Sequence, residues 1–166
     1  MKRLLPLLLV AFLALPAIAF AGDESQDGKT YLRAQIIDKD PKGTNLRDAP
    51  KGKVIYTVAL KPKDESERVV SVLGQQGEWF QVTLGESEHT GWMHSSVLGV
   101  NGTAEDGYCP LKKIPNEGAP VVIKPKEGAV LQLIGFSEAP DGVWIMVRYT
   151  DAKGAKHEGW IPQQCQ

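Results

Sequence analysis

The chain has 166 residues, with 19 basic and 20 acidic side chains, a formal charge of −1, and hydrophobic and aromatic fractions of 42% and 7%. That balance belongs to an ordinary globular protein and excludes a firm grip on nucleic acid, which needs a basic stripe. The dense basic stretches, Lys51 to Lys53 and Lys61 to Lys63, are short and broken by Gly or Pro.

Residues 1–21 predict a secretion signal, with Lys2 and Arg3 at the positive end, an apolar run from Leu4 to Ile18, and Ala19-Phe20-Ala21 as the small-x-small cleavage site. Pro6 and Pro16 interrupt the run, no stop-transfer pattern follows it, and no Cys sits near the cleavage point, so no stable membrane anchor is expected after cleavage. Loss of Lys2 and Arg3 leaves 17 basic against 20 acidic residues, a charge of −3. The mature protein is expected to be periplasmic or secreted.

Residues 22–30 are polar and acidic and are expected to be disordered. Order is expected from Tyr31. Leu32, Ala34 and Ile36 suggest a first strand, Val54, Tyr56, Val58 and Leu60 a second, and Val70 and Val72 a third. Phe80, Val82 and Leu84 then alternate with Trp79, Gln81 and Thr83, the period of a strand with one face in a core. A polar turn from Gly85 to Thr90 leads into Gly91-Trp92-Met93-His94, which completes a hairpin, and a short turn follows at Ser95 to Leu98. Residues 101–107 are polar and Gly-containing, as a short linker would be.

Beyond the linker the pattern recurs. Lys61-Pro62-Lys63-Asp64 returns as Lys124-Pro125-Lys126-Glu127, and residues 69–74 return as 130–135. Trp79-Phe80-Gln81-Val82 returns as Trp144-Ile145-Met146-Val147, and Gly91-Trp92-Met93 as Gly159-Trp160-Ile161. The order is kept and the offsets change across polar, Gly-containing segments, where loops tolerate insertion. Short strands separated by Gly and Pro turns, with no convincing amphipathic helix, predict an all-β protein of two tandem small barrels over 31–100 and 108–166.

The sequences W-F-Q-V and G-W-M-H-S-S-V-L, with Asn45-Leu46-Arg47-Asp48-Ala49-Pro50 upstream, resemble the bacterial SH3 family over residues 31–100. The resemblance implies that each unit is an SH3-like barrel and that the protein binds a wall component, peptidoglycan stem peptide or glycan. The second copy departs from the pattern, with Leu111-Lys112-Lys113-Ile114-Pro115-Asn116 in place of Asn-x-Arg, so the first copy is the expected binding unit.

Barrels this small have little core and often need a staple. Cys109 and Cys165 open and close the second copy, and an exported chain favours their oxidation, worth about 4 kcal/mol on the chain-entropy view. A reactive or metal-binding thiol is the rival role, although the spacing is not C-x-x-C.

The sequence carries no G-x-S-x-G, H-E-x-x-H, G-x-x-x-x-G-K-[ST] or G-x-G-x-x-G, and neither an enzyme, a cofactor nor a metal site is expected. His89 and His157 are placed in turns and His94 on a strand, an incomplete ligand set. Asp38, Asp40 and Asp48 are expected to pair or cap turns.

The tryptophans stand out. Trp79 and Trp144 are out of phase with their strands' core residues, as are Trp92 and Trp160, so all four are expected on a face the core does not require. Exposed paired aromatics form a platform for sugar rings or an extended peptide; small barrels also use such aromatics to cover loops or to seal one domain against the next. Arg47 either reaches a ligand carboxylate or pins its own loop through backbone carbonyls or Asp48, while Asn45 stabilises the turn and Pro50 fixes its exit. The candidate ligand-binding set is therefore Arg47, Asp48, Tyr56, Trp79, Trp92, Trp144 and Trp160. Its partner is expected to be peptidoglycan or, on the alternative reading, an envelope protein that the same face holds as adaptor or inhibitor.

Overall fold

The computed structural model describes residues 32–61, 65–85, 89–102 and 109–165. Residues 1–21, read as a secretion signal, and the acidic segment 22–30, expected to be disordered, lie outside them. The protein is all-β: among the described residues there is no α-helix, and three short 3-10 turns punctuate twelve strands.

The first half contains β1 (Leu32–Ile36), β2 (Thr44–Arg47), β3 (Val54–Val58), β4 (Val69–Gln76), β5 (Trp79–Leu84), β6 (Thr90–His94) and β7 (Leu98–Asn101). The second contains β8 (Leu111–Lys112), β9 (Val121–Ile123), β10 (Val130–Ala139), β11 (Gly142–Thr150) and β12 (Lys156–Pro162). All pairings are antiparallel and form one sheet in the order β3-β2-β6-β5-β4-β1-β7-β10-β11-β12-β8-β9. The hydrogen-bonded sheet is open: β3 and β9 are its two ends, where closed barrels had been expected.

Strand β7 joins the halves. Gly99 lies opposite Gln35 of β1 on one side and Gln132 of β10 on the other. Of the segment read as a linker, Asn101 belongs to β7 and faces Val130, Gly102 is buried, and 103–108 lie outside the described residues.

The repeat is visible in the pairing. β4 and β5 slip register between Val72 and Gly74, and β10 and β11 slip between Leu133 and Gly135, the same bulge 61 residues on. Such bulges bend a sheet and increase its twist. The Gly-Trp step also has one cause in both halves. A Cβ on Gly91 would lie 2.6 Å from the Arg47 carbonyl oxygen and 2.8 Å from Leu46 Cγ; one on Gly159 would lie 2.9 Å from the Lys112 carbonyl oxygen and 2.8 Å from Leu111 Cβ. Only glycine lets β2 cross β6, and β8 cross β12, this closely.

The inward phase follows the sequence pattern. Leu32, Ala34, Ile36, Val70, Val72, Phe80, Val82, Leu84 and Met93 are buried, as are Leu131, Leu133, Ile145, Val147, Tyr149 and Ile161, in a single continuous cluster. Each aliphatic side chain buried in this cluster contributes about 1.5–3 kcal/mol. Two expectations fail in detail. Residues 44–47 form a strand that buries Leu46 completely, where a turn had been read, so Asn45 sits in β2 and accepts from the Thr57 hydroxyl. Val54 of β3 is 46% exposed, because β3 is an edge strand and Val58, not Val54, reaches the core.

Cys109 and Cys165 form a disulfide that closes the second half over a sequence separation of 56 residues. The first half has its own tie. Arg68 donates to the carbonyls of Leu60 (2.9 Å) and Ala59 (3.4 Å) through Nη1 and of Ile36 (2.6 Å) and Asp38 (3.0 Å) through Nη2, fastening the chain after β3 to the end of β1.

Candidate functional site

The hairpin register assembles the outer face of β5 and β6. Trp79 stands opposite His94 and Gln81 opposite Trp92, while Trp92 is also opposite Arg47 of β2. Directly paired residues share a face, so Trp79, Gln81, Trp92, His94 and Arg47 form one patch on the side away from the core. Both tryptophans are half-buried. The His94 ring meets Trp79 edge-on at 5.2 Å, and the Arg47 guanidinium carbon lies 5.9 Å from the Trp79 ring centroid, within cation–π reach.

Arg47 is also committed to its own loop. Its Nη1 donates to the Gly52 carbonyl at 2.6 Å, and the Asp48 and Gly52 amides donate to the carbonyls of Lys53 and Ala49. The second half repeats the device with another side chain: Lys112 Nζ donates to the Glu117 carbonyl at 2.8 Å, again five residues on. Where the sequence shows an Asn-x-Arg pattern lost, the structure shows its loop-pinning contact kept. The planar fork is what the second half lacks, since lysine offers a point charge with no bidentate geometry.

Asp48 is exposed at the loop tip, and among the described residues its carboxylate has no hydrogen-bond or ion-pair partner. Tyr56 does not join the patch. It pairs with the core residue Leu46, packs against the core and stacks on His89 at 4.1 Å. Asp38 and Asp40 cap the turn before β2: Asp38 accepts from the Asp40 amide and the Thr44 hydroxyl, and Asp40 from the Lys42 amide.

The matching face on β11 and β12 is built differently. Trp160 is half-buried opposite Met146 and Lys112, in the place of Trp92. Trp144, expected on an exposed face, is 1% exposed. Its indole reaches back to the β10–β11 hairpin tip and donates to Asp141 Oδ1 at 3.0 Å, and with its N–H satisfied it is removed from water. Strand phase gave its side of the sheet and not whether that side is covered. Where the first half has Thr83 and Thr90 with hydroxyls 2.9 Å apart, the second has Arg148, whose Nε and Nη2 donate to Glu158 at 2.8 and 2.6 Å.

His94 belongs to the patch and was not in the predicted set, although hairpin counting from Trp79 would have placed it there. Its Nδ1 accepts the Ser96 amide at 3.2 Å and lies 2.9 Å from the Ser96 hydroxyl; its Nε2 is 3.5 Å from Glu78 Oε2. The Ser96 contacts are the cap of the 3-10 turn after β6, which explains them without a nucleophilic role. His157 lies in β12 and not in a turn, and bonds Asp151 Oδ2 at 3.1 Å. That bond, with the Ala155 amide, holds the Asp151 carboxyl below its usual range. No group of three metal-binding side chains occurs among the described residues.

Two clefts lie away from the tryptophans. One of ≈ 490 Å³ is lined by Leu32, Ala34, Val69, Val100 and Gln163 among others, but Leu32, Ala34 and Val100 are themselves buried. The other, ≈ 650 Å³, borders Arg68, whose guanidinium is taken up by four carbonyls. Comparison of the chain with family models, curated proteins and solved structures finds no match.

Proposed function

We propose that the chain is a non-catalytic, exported binding protein of the bacterial cell envelope, made of two tandem SH3-like units, whose first unit recognises peptidoglycan. The observation that carries this reading is the outer patch of Trp79 and Trp92 with Arg47 and His94 beside them. Half-buried indoles offer apolar area to a sugar ring or extended stem peptide while keeping an N–H donor, and the guanidinium suits a stem-peptide carboxylate. The tandem reading is supported by the repeated order β2-β6-β5-β4 and β8-β12-β11-β10 and by the matching bulges. The disulfide is consistent with an oxidising compartment. Two units on one chain add avidity on a repeating polymer when both can engage.

The test is co-sedimentation of the mature protein with purified sacculi. Trp79→Ala and Trp92→Ala are each expected to weaken retention about tenfold, the loss of roughly one buried aromatic contact. Trp160→Ala should change it less, because the second face is occupied by its own ion pair. No retention at any ionic strength would turn the same face over to a protein partner, and soluble fragments released from the sacculi would make the protein an enzyme.

A further inference from the structure

The sheet has two open ends, and they are defended differently. β9 is three residues long and follows Pro120, whose missing N–H interrupts a ladder. β3 is five residues long, contains no proline, and hydrogen-bonds to β2 alone; among the described residues no strand lies on its other side. Val54 and Ile55 are 46% and 52% exposed there. Lysines bracket the strand: Lys51 and Lys53 before it, Lys61 after it, all exposed and without an ion pair or side-chain hydrogen bond among the described residues.

Lysine at an edge is a known guard against pairing with a like strand, and it selects by charge. A second copy presenting its own β3 would set Lys51, Lys53 and Lys61 against the same three residues. A copy presenting β9 would bring the exposed Lys113 and Lys124 instead. An extended segment with carboxylates at its ends meets the opposite field and gains both the free ladder groups and the apolar contact of Val54 and Ile55. We propose that the outer edge of β3 is a docking site for an extended acidic peptide of a partner protein, added as a further strand, with its carboxylates against Lys53 and Lys61 and β-branched side chains beside Ile55. The edge lies two strands from Trp92, with Val54 opposite Arg47 at the border of the patch, and the inference does not depend on wall binding.

The probe is a fluorescein-labelled nonapeptide with two aspartates at each end of a centre of alternating valine and threonine, titrated with the mature protein and followed by fluorescence polarisation. Saturable binding that weakens as salt rises is expected, with no binding of the peptide whose aspartates are replaced by lysines. N-methylation of alternate central amides, made in both phases, separates strand pairing from adsorption: one phase should weaken binding about tenfold and the other leave it unchanged, because an added strand pairs along one edge only. Lys53→Glu with Lys61→Glu lies on the exposed surface and should reverse the charge preference, so that the lysine-ended peptide binds and the aspartate-ended one does not. The proposal is overturned if both methylated phases bind like the parent, if no saturable binding occurs, if light scattering shows the protein pairing with itself through this edge, or if the double variant still prefers the aspartate-ended peptide.

Discussion

The outer faces of β5–β6 and β11–β12 carry tryptophan at the same two positions; Trp92 and Trp160 are alike half-buried, while Trp79 and Trp144 are treated oppositely. On the first, Trp79 is half-buried beside Arg47 and His94. On the second, Trp144 is withdrawn to 1% exposure with its N–H on Asp141, and Arg148 and Glu158 bridge the two strands. The backbone frame scarcely differs: the bulges, the close Gly91 and Gly159 crossings and the loop pins by Arg47 and Lys112 all recur. The two halves thus agree in strand order and packed frame and differ on the outer side, where a side chain can be used for contact or for cover.

The sharpest way to break this comparison is to truncate the paired tryptophans. Trp144→Ala is expected to cost about 3–5 kcal/mol in urea unfolding, as for a fully buried aromatic, and Trp79→Ala markedly less. In acrylamide quenching Trp144 should be the protected indole and Trp79 an accessible one. Equal costs for the two variants would show that both faces are structural cover and would remove the basis of the binding patch.

The disulfide gives the next largest difference. It closes a separation of 56 residues in the second half, and the Cys109→Ser, Cys165→Ser variant should lose up to about 4 kcal/mol, less whatever structure the unfolded chain retains. Hydrogen exchange should show the loss first in β8, β11 and β12, with β2, β5 and β6 following to the extent that β7 transmits it. Uniform loss across all strands would mean that the shared strand makes the halves one cooperative unit.

The smallest effect concerns the β11–β12 turn, where Asp151 accepts from His157, Lys153 and Ala155. Its carboxyl is depressed in the folded protein, principally by the His157 hydrogen bond and the Ala155 amide, so its contribution to stability is present above the unfolded-state pKa and disappears as pH falls through the folded one. Asp151→Asn should therefore be slightly less stable than the wild type at neutral pH and match it in strong acid. A difference that persisted there would assign the effect to turn geometry. Thr83 and Thr90 in the first half carry no such charge, and their replacement should show no acid dependence.

Much of the fold was legible because strand period and core burial have the same origin. Phe80, Val82 and Leu84, with Ile145, Val147 and Tyr149, had to face inward once their strands formed. Residues 44–47 were harder, since a four-residue strand that ends at Arg47 and runs straight into Asp48-Ala49-Pro50 has the composition of a turn. The candidate patch was half legible: Trp79, Trp92 and Arg47 come together, Tyr56 belongs to the core side, and His94 was missed because its place depends on cross-strand register.

By itself the sequence determined an all-β chain, the phase of its long strands and the cysteine pair, because these follow from local alternation and from counting. Only the tertiary structure decided that β7 serves both halves, that the sheet stays open at β3 and β9, and that Trp144 is covered while Trp79 is not. Those outcomes depend on contacts between residues far apart in the chain, and a pattern with a period of two residues carries no information about what lies across from it.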